Sequence, residues 1–290
     1  MRYEGPIYRP PSEARSLLVQ ATVGCPHNRC TFCLVYKNIR FKVRPVLETK
    51  EDLEEAARLY GKGVRTLFFP AGNTIAMPTE GLAEICRYAR GLFPGLERIT
   101  VYGSSQFIVK KRLAGLRLLA EAGLTRLHVG WESGDDDILA NIKKGATREE
   151  HAEASRLCRE AGLEVNAYVM LGIGGQEGSR SHARKTAALV NEAPPAVLRL
   201  RTFIPKVNTP LLDDVLAGRF PMLTPHQVLT ETAALLKGIN TPVRVESDHY
   251  TNYLNVSGNL PDERQKMLAV LEKALKRPES DFRPFFIGTE

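Results

Sequence analysis

Apolar segments rich in β-branched and aromatic residues alternate with amphipathic segments of helical period along the first two thirds of the chain. This alternation is typical of repeated βα units around a parallel sheet. The predicted strands are Leu17–Val23, Thr66–Phe69, Arg98–Tyr102, Arg126–Trp131, Val165–Leu171 and Val197–Phe203. The helices predicted between them are Lys50–Tyr60, Thr79–Leu92, Lys110–Glu121, Asp135–Lys143, Thr147–Ala161 and Ser181–Asn191.

Six successive βα units fit either an incomplete curved barrel or a flat doubly wound sheet, and periodicity does not separate the two. In both architectures ligands bind at the carboxyl ends of the strands, so the residues that follow each strand are the first functional candidates. After Pro205 the pattern changes to a helix over Pro225–Lys237, a strand over Val243–Ser247 and a helix over Asp262–Leu275. We expect this tail to pack on the preceding units rather than to form a separate domain.

The composition is that of an ordinary globular protein, with 43% hydrophobic and 25% charged residues. The net charge of +7 is the small difference between 40 basic and 33 acidic residues, so it permits an anionic substrate without indicating nucleic acid. The first residues have no apolar core of the signal-peptide type, and the apolar run Ser16–Val23 is too short to span a bilayer. We therefore expect a cytoplasmic protein that does not contact a membrane.

Three cysteines lie within nine residues, directly after the first predicted strand. Cys25, Cys30 and Cys33 place three thiols on one loop. In a reducing compartment such a cluster indicates a metal site rather than disulfide bonds. The other two cysteines, Cys86 and Cys158, fall inside amphipathic helical segments and are expected to pack in the core.

The residues leave three kinds of metal site open. A two-iron ferredoxin centre needs a fourth cysteine, which this loop lacks. A zinc ion would need a fourth ligand such as His27, although structural zinc sites usually draw their ligands from two short segments. The third possibility is a four-iron cluster with three protein ligands, which leaves one iron open to bind a small molecule.

The cysteine segment resembles the radical S-adenosylmethionine (SAM) superfamily, especially the branch that shares a catalytic domain with methylthiotransferases, oxygen-independent coproporphyrinogen oxidases and the elongator acetyltransferase. The resemblance covers about Leu17 to Pro210. It implies a partial (β/α)6 TIM-like barrel over residues 1–210, with residues 211–290 as a small α/β extension packed on it. The chain departs from the usual superfamily spacing, because four rather than three residues separate Cys25 and Cys30.

The same resemblance implies a [4Fe-4S] cluster whose open iron binds the amino and carboxylate groups of SAM. One electron, from a donor such as flavodoxin or ferredoxin, then cleaves SAM to methionine and a 5′-deoxyadenosyl radical. The alternative from another class of protein is a non-catalytic iron–sulfur or zinc protein that senses redox state or carries electrons. A SAM-binding cleft distinguishes the two, since a sensor has no need of one.

Four motifs that resemble the superfamily's SAM contacts follow the cysteines. Phe32, before the third cysteine, matches the aromatic residue that contacts adenine. Gly72 and Asn73 lie in a turn that resembles the one binding the SAM amino group. Glu132 begins a Glu-Ser-Gly motif in which the acid meets SAM; the alternative is that Glu132 caps the following helix. Gly172 lies where a strand supports adenine by backbone contacts.

Three further strand-end features come from the residues themselves. Ser104 follows the third strand, and its hydroxyl would serve either SAM or substrate, or cap the next helix. On the sixth strand Arg199 and Arg201 share one face. If this face is the barrel interior, they would bind carboxylates of SAM or substrate, with Arg201 as the cofactor candidate; if it is the outer face, they are surface charges. Gly172 does not begin a dinucleotide-binding fingerprint, because Glu177 stands where the third glycine belongs.

The tail contains a dense polar and aromatic segment, Glu246–Leu254. It resembles a tail motif of radical SAM proteins, and His249 and Asn252 are its candidates for facing the substrate. The leading hypothesis is an enzyme that uses the adenosyl radical to remove a hydrogen atom from an organic substrate.

Overall fold

The alternation of strands and helices expected from the sequence extends along the chain. A computed structural model describes residues 1–289. Within them the strands are β1 (Leu17–Leu18), β2 (Thr22–Val23), β3 (Lys42–Val43), β4 (Thr66–Phe69), β5 (Arg98–Gly103), β6 (Arg126–Glu132), β7 (Glu164–Leu171), β8 (Val197–Thr202), β9 (Val243–Glu246) and β10 (Gly258–Leu260). The α-helices are α1 (Val46–Tyr60), α2 (Thr79–Leu92), α3 (Ser105–Glu121), α4 (Asp136–Asn141), α5 (Arg148–Glu160), α6 (Gly175–Glu192), α7 (Pro210–Leu216), α8 (Pro225–Gly238) and α9 (Arg264–Leu275).

The main sheet has the strand order β1-β4-β5-β6-β7-β8-β9-β10. The pairs β1·β4, β4·β5, β5·β6, β7·β8 and β8·β9 are parallel, and β10 is antiparallel to β9. The expected α/β class is therefore confirmed, and the parallel sheet is consistent with a partial TIM barrel.

Two kinds of detail differ from the expectation. The first predicted strand is divided, because Thr22 and Val23 leave the main sheet and pair antiparallel with β3. Helices α3 and α6 begin several residues earlier than predicted, in glycine- and serine-containing segments that lack the helical spacing of apolar residues. Helix α7 and strand β10 are too short to give a periodic signal.

By the density of its contacts the chain divides into two units, which we describe separately. The first comprises Met1–Asn28, Val35–Val129 and Glu153–Val165. The second comprises Arg29–Leu34, Gly130–Ala152 and the residues from Asn166 onward. The expected domain boundary after residue 210 stays a prediction.

In the first unit, β4 and β5 pair in parallel and their side chains form the centre of the core. Leu67 lies opposite Ile99, and both are fully buried. Helix α2 presents Leu82 and Ile85 to this core because residues three and four apart share one helix face. The same periodicity buries Cys86 completely.

A buried acid anchors the N-terminal segment of the first unit. Glu13 is completely buried, and its carboxylate lies 3.1 Å from His128 Nε2 and 3.1 Å from Arg98 Nη2. Ser16 donates a hydrogen bond to the same group. Burial alone would raise the pKa of Glu13, but these hydrogen bonds and charges lower it to about 2.

In the second unit, α8 packs against α6. Helix α8 begins with a capping box, in which Thr224 and Gln227 satisfy each other's backbone N–H groups, and Pro225 occupies the first helical position. At its other end Gly238 lies against α6 so closely that an added Cβ would be 2.8 Å from Ala187 Cβ. None of the helices within residues 1–289 is both long and apolar enough to cross a membrane.

Candidate functional site

The three clustered cysteines differ from the other two in exposure. Cys25, Cys30 and Cys33 are partly exposed and do not form disulfide bonds. Cys86 and Cys158 are buried in helices, and burial raises the pKa of both thiols to about 12. A set of three accessible thiols on one short loop fits a cluster with three protein ligands. Within residues 1–289 no three His, Cys, Asp or Glu side chains are arranged to hold a single metal ion.

Backbone hydrogen bonds hold the segment that carries Cys30 and Cys33 in the second unit. Thr31 N–H donates to Ile142 O at 3.0 Å, and Thr31 O accepts from Leu211 N–H at 3.1 Å. Phe32 packs against a buried apolar cluster, whose members are Ile138, Ile142, Met170, Ile173, Phe203 and Leu211. Because Met170 and Ile173 flank Gly172, the candidate aromatic residue and the end of β7 share this cluster.

A cavity of about 430 Å³ adjoins the same cluster. Thr31, Ile138 and Ile173 line it, together with the first residues of α6. Its volume lies in the range of small-molecule sites.

In the first unit Gly72 lies against Cys25. Its N–H donates to Gly24 O at 3.1 Å. An added Cβ would lie 2.7 Å from Cys25 Cβ and 2.8 Å from the Tyr36 ring. Close packing beside the first cysteine therefore requires glycine here, and its proposed contact with the SAM amino group stays a prediction.

Asn73 and Ser104 join the ends of β4 and β5. Asn73 Nδ2 donates to Ser104 Oγ at 2.9 Å, and Ser104 N–H donates to Asn73 Oδ1 at 3.0 Å. Ser104 occupies the N-cap position of α3, but its hydroxyl makes no capping hydrogen bond. The structure thus brings two predicted site residues into direct contact.

Glu132 ends β6 in an unusual conformation. Its φ is +63°, a left-handed value that is uncommon for residues other than glycine and is often found at functional sites. Its buried carboxylate accepts a hydrogen bond of 2.9 Å from Lys144 Nζ. The helix that follows is capped by Asp135, whose carboxylate accepts Asp137 N–H. Glu132 is therefore not the capping acid.

The two arginines of β8 have different surroundings. Arg199 is buried and forms ion pairs with Glu246 and Asp248, the latter at 2.7 Å. The Nε atom of Arg201 is buried without a hydrogen-bond partner within the described part of the chain. Arg201 is therefore the arginine available to bind a carboxylate.

His249 and Asn252 both lie near Arg201, but the surroundings of their side chains differ. Burial, and next the charge of Arg201, lower the pKa of His249 to about 4. The Asn252 amide is occupied by protein groups: Oδ1 accepts Thr202 N–H at 2.7 Å, and Nδ2 donates to Leu200 O at 2.9 Å. These contacts show a link to β8, and the expectation that both residues face substrate stays a prediction.

Sequence reasoning missed three residues around these positions. Lys144 is the ion-pair partner of Glu132. A carboxylate at the end of an apolar strand is expected to be buried, and this is the signal in the sequence to search for a nearby cation. His182 and Glu231 belong to helices α6 and α8 and form a buried polar group with Ser133. Their sequence neighbours resemble those of any amphipathic helix.

Comparisons with known proteins show which family the chain is similar to. The profile of the Radical SAM superfamily matches residues 19–184. The tRNA-2-methylthio-N(6)-dimethylallyladenosine synthase of Hahella chejuensis is 28% identical over 191 residues, which are 63% of this chain and 42% of that protein. The anaerobic magnesium-protoporphyrin IX monomethyl ester cyclase of Cereibacter sphaeroides is 25% identical over 197 residues, 66% of this chain and 31% of that protein. The chain thus spans less than half the length of these two relatives.

Solved structures show the same fold. Coproporphyrinogen III oxidase of Escherichia coli, a radical SAM enzyme, aligns with a TM-score of 0.57 at 18% identity over 77% of this chain and 52% of that chain. Methylornithine synthase aligns with a TM-score of 0.55 at 15% identity over 92% of this chain and 84% of that chain. Because the superfamily profile covers more than half of the chain, including all three clustered cysteines, the chain belongs to the radical SAM superfamily.

Proposed function

We propose that the protein is an enzyme that binds a [4Fe-4S] cluster through Cys25, Cys30 and Cys33 and reductively cleaves SAM. The observation that carries the proposal is the partial exposure of these three thiols on one loop, in a chain whose superfamily uses a [4Fe-4S] cluster and SAM. When bound, the cluster and SAM supply a 5′-deoxyadenosyl radical that removes a hydrogen atom from an organic substrate.

The residues of the second unit would bind and orient SAM. Glu132 offers a buried carboxylate to SAM hydroxyl or ammonium groups, and Lys144 holds that carboxylate in place. Phe32 packs beside the end of β7 and would contact adenine, with Gly172 offering backbone groups. Arg201, whose buried Nε has no hydrogen-bond partner among the described residues, would bind the SAM carboxylate.

The residues of the first unit would contact the methionine end of SAM. Gly72 packs beside Cys25, so its backbone would lie next to a ligand of the proposed cluster. Asn73 and Ser104 fix each other's side chains, which reduces the entropy lost when they bind a ligand.

His249 would face the substrate, and flavodoxin or ferredoxin would supply the electron. The neutral His249 imidazole suits a polar, uncharged contact. The names of the two relatives refer to a tRNA nucleoside and a porphyrin, whereas the nearly balanced charges of this chain do not indicate nucleic acid. We place the protein in the cytoplasm, where three accessible thiols stay reduced.

Anaerobic reconstitution with iron and sulfide tests the proposal. The reduced protein is expected to convert SAM slowly to 5′-deoxyadenosine and methionine, measured by chromatography. Cys30→Ala is expected to lose the cluster and the activity, whereas Cys86→Ala retains both because Cys86 is buried in α2. An intact, reduced cluster that yields no 5′-deoxyadenosine over many hours would support the sensor or electron-carrier alternative instead.

A further inference from the structure

A chain of buried polar side chains connects the ends of β6 and β7 within the second unit. Ser133 Oγ lies 2.8 Å from His182 Nδ1, and His182 Nε2 lies 3.7 Å from Glu231 Oε1. Glu231 Oε1 accepts Gly172 N–H at 2.7 Å. Ser133 and His182 are completely buried, and Glu231 is 2% exposed. This series of side chains therefore joins Ser133, which directly follows Glu132, to Gly172.

The hydrogen bonds of Ser133 favour one tautomer of His182. Ser133 Oγ accepts Asp135 N–H at 3.0 Å, so its own hydrogen is free to donate to His182 Nδ1. In this tautomer the proton of His182 is on Nε2, which faces Glu231 at 3.7 Å and makes no hydrogen bond among the described residues. Burial lowers the pKa of His182, and the opposing charges of Glu231 and Asp135 do not reverse this shift. A neutral imidazole thus lies between the Ser133 hydroxyl and the Glu231 carboxylate.

The order Ser–His–Glu is that of a hydrolytic triad, but the surroundings exclude this role for Ser133. A nucleophilic serine must reach its substrate. Ser133 is 0% exposed and its oxygen already contacts His182 and the backbone of Asp135. The group can act only by holding other residues.

The Glu132 turn needs support, and the Gly172 turn provides the amide that Glu231 binds. Glu132 has a φ of +63°, which costs energy for a residue other than glycine, whereas Gly172 adopts its φ of +81° without strain. Ser133 follows Glu132 directly, and Glu231 binds the amide of Gly172. The next residue, Gly134, is fixed as well, since its N–H donates to Thr186 Oγ1 at 2.9 Å.

We propose that Ser133, His182 and Glu231 are positioning residues that hold Glu132 and Gly172 in the conformation that binds SAM. The inference rests on the proposed function and extends it to the tail. Glu231 lies in α8, beyond residues 19–184, so the tail would contribute to SAM affinity rather than only cover the sheet.

The test compares SAM affinity in full-length, cluster-loaded variants. Glu231→Ala is expected to raise the SAM Kd about ten-fold, the effect of losing a hydrogen bond to a charged group. Glu231→Gln should recover most of the affinity because its carbonyl oxygen still accepts Gly172 N–H. Asn191→Ala is the matched control, because Asn191 also connects α6 to the end of α8, through Gly238 O at 2.8 Å, but lies on the exposed side. Its SAM Kd should equal that of the wild type.

Hydrogen exchange of the protein without SAM gives a second readout. The amide of Gly172 and those of residues 133–135 should exchange faster in Glu231→Ala but not in Asn191→Ala. Should Glu231→Ala not fold, Ser133→Ala removes one hydrogen bond with a smaller change and is expected to raise the SAM Kd about five-fold.

Two results would overturn the proposal. One is an unchanged SAM Kd in a folded, cluster-loaded Glu231→Ala or Ser133→Ala protein. The other is an equal loss of affinity in Asn191→Ala, which would show that any loosening of α6 against α8 has this effect. Failure of the wild-type protein to bind SAM would instead refute the proposed function.

Discussion

Lys144 Nζ donates a hydrogen bond of 2.9 Å to Glu132 Oε1, and the two side chains are only 10% and 9% exposed. A buried ion pair adds little net stability, but removal of one partner leaves an uncompensated charge and costs about 3–5 kcal/mol. Lys144 therefore holds the Glu132 carboxylate at the end of β6. Any SAM group that binds this carboxylate shares it with Lys144.

Replacement of the Glu132 carboxylate tests its role. Glu132→Gln is expected to retain the iron of the cluster but to raise the SAM Kd about ten-fold, because the carboxylate's charge-assisted hydrogen bonds to SAM are lost. The variant should also be less stable, since the buried Lys144 ammonium loses the charge of its carboxylate partner. Iron analysis, SAM affinity and urea unfolding are measured on the same anaerobic samples.

A double variant separates these two effects. Glu132→Gln combined with Lys144→Met removes both charges and should restore part of the stability, but not the SAM affinity. Equal recovery of affinity and stability would mean that Glu132 acts only as the structural partner of Lys144.

The sequence predicted the strands well because their signal is local. Strands β4 to β8 nearly coincide with the predicted ones, since each is a short run of apolar residues. Thr22 and Val23 were assigned to the first strand, although they pair with β3. The apolar run continues through them, and only a distant pairing partner determines where the strand ends.

The candidate site was predictable where one motif carries it and not where distant residues meet. The cysteines and Glu132 lie in short motifs that resemble known ones. Lys144 lies 12 positions beyond Glu132, and Glu231 lies 59 positions beyond Gly172. Such partners follow from tertiary packing, which residue spacing does not reveal.

Glu13 makes the protein sensitive to acid. Its pKa is about 2 in the folded protein and 4.5 in the unfolded chain. A depressed pKa stabilises the fold above the unfolded value, and this contribution, about 3 kcal/mol, is lost as the pH falls from about 5 to 2. Glu13→Gln should therefore lose stability at neutral pH and show a flatter dependence over this range. Urea unfolding at a series of pH values measures the stability of the wild type and the variant. Parallel curves of stability against pH for the two proteins would contradict the lowered pKa of Glu13.

Arg201 is expected to control the protonation of His249. The pKa of His249 is lowered to about 4 by burial and then by Arg201, with Arg199 and Lys206 adding to the shift and Asp248 opposing it. Arg201→Gln should raise this pKa, although burial keeps it below 6.5. His249 binds its proton at a higher pH in the unfolded chain than in the folded protein. It therefore destabilises the fold as the pH falls from 6.5 to 4, and Arg201→Gln narrows this pH range. NMR titration of the imidazole measures the pKa, with Arg244→Gln as an exposed control that should not change it.

Beyond the end of β9, the side chain of Asn252 continues the hydrogen bonding along the edge of β8. Strand β9 pairs with β8 as far as Arg199 and Glu246. Beyond that point the Asn252 amide takes over, accepting from Thr202 N–H and donating to Leu200 O, the two backbone groups on either side of Arg201. The amide suits this position because its Nδ2 donates while its Oδ1, a separate atom, accepts.

We therefore expect Asn252→Ala to lower the free energy of unfolding by about 1–3 kcal/mol, the cost of backbone groups left without partners. Asn252→Asp should not restore it, since a carboxylate cannot donate to Leu200 O. His249→Gln, three positions earlier in the same loop, serves as the control and should lose less stability because the hydrogen bonds of the His249 side chain are to Thr251 and not to the backbone of β8. Urea unfolding of the three variants decides the matter. A stability equal to that of the wild type in Asn252→Ala, together with a changed KM once the substrate is known, would show that Asn252 acts on the substrate instead of the strand.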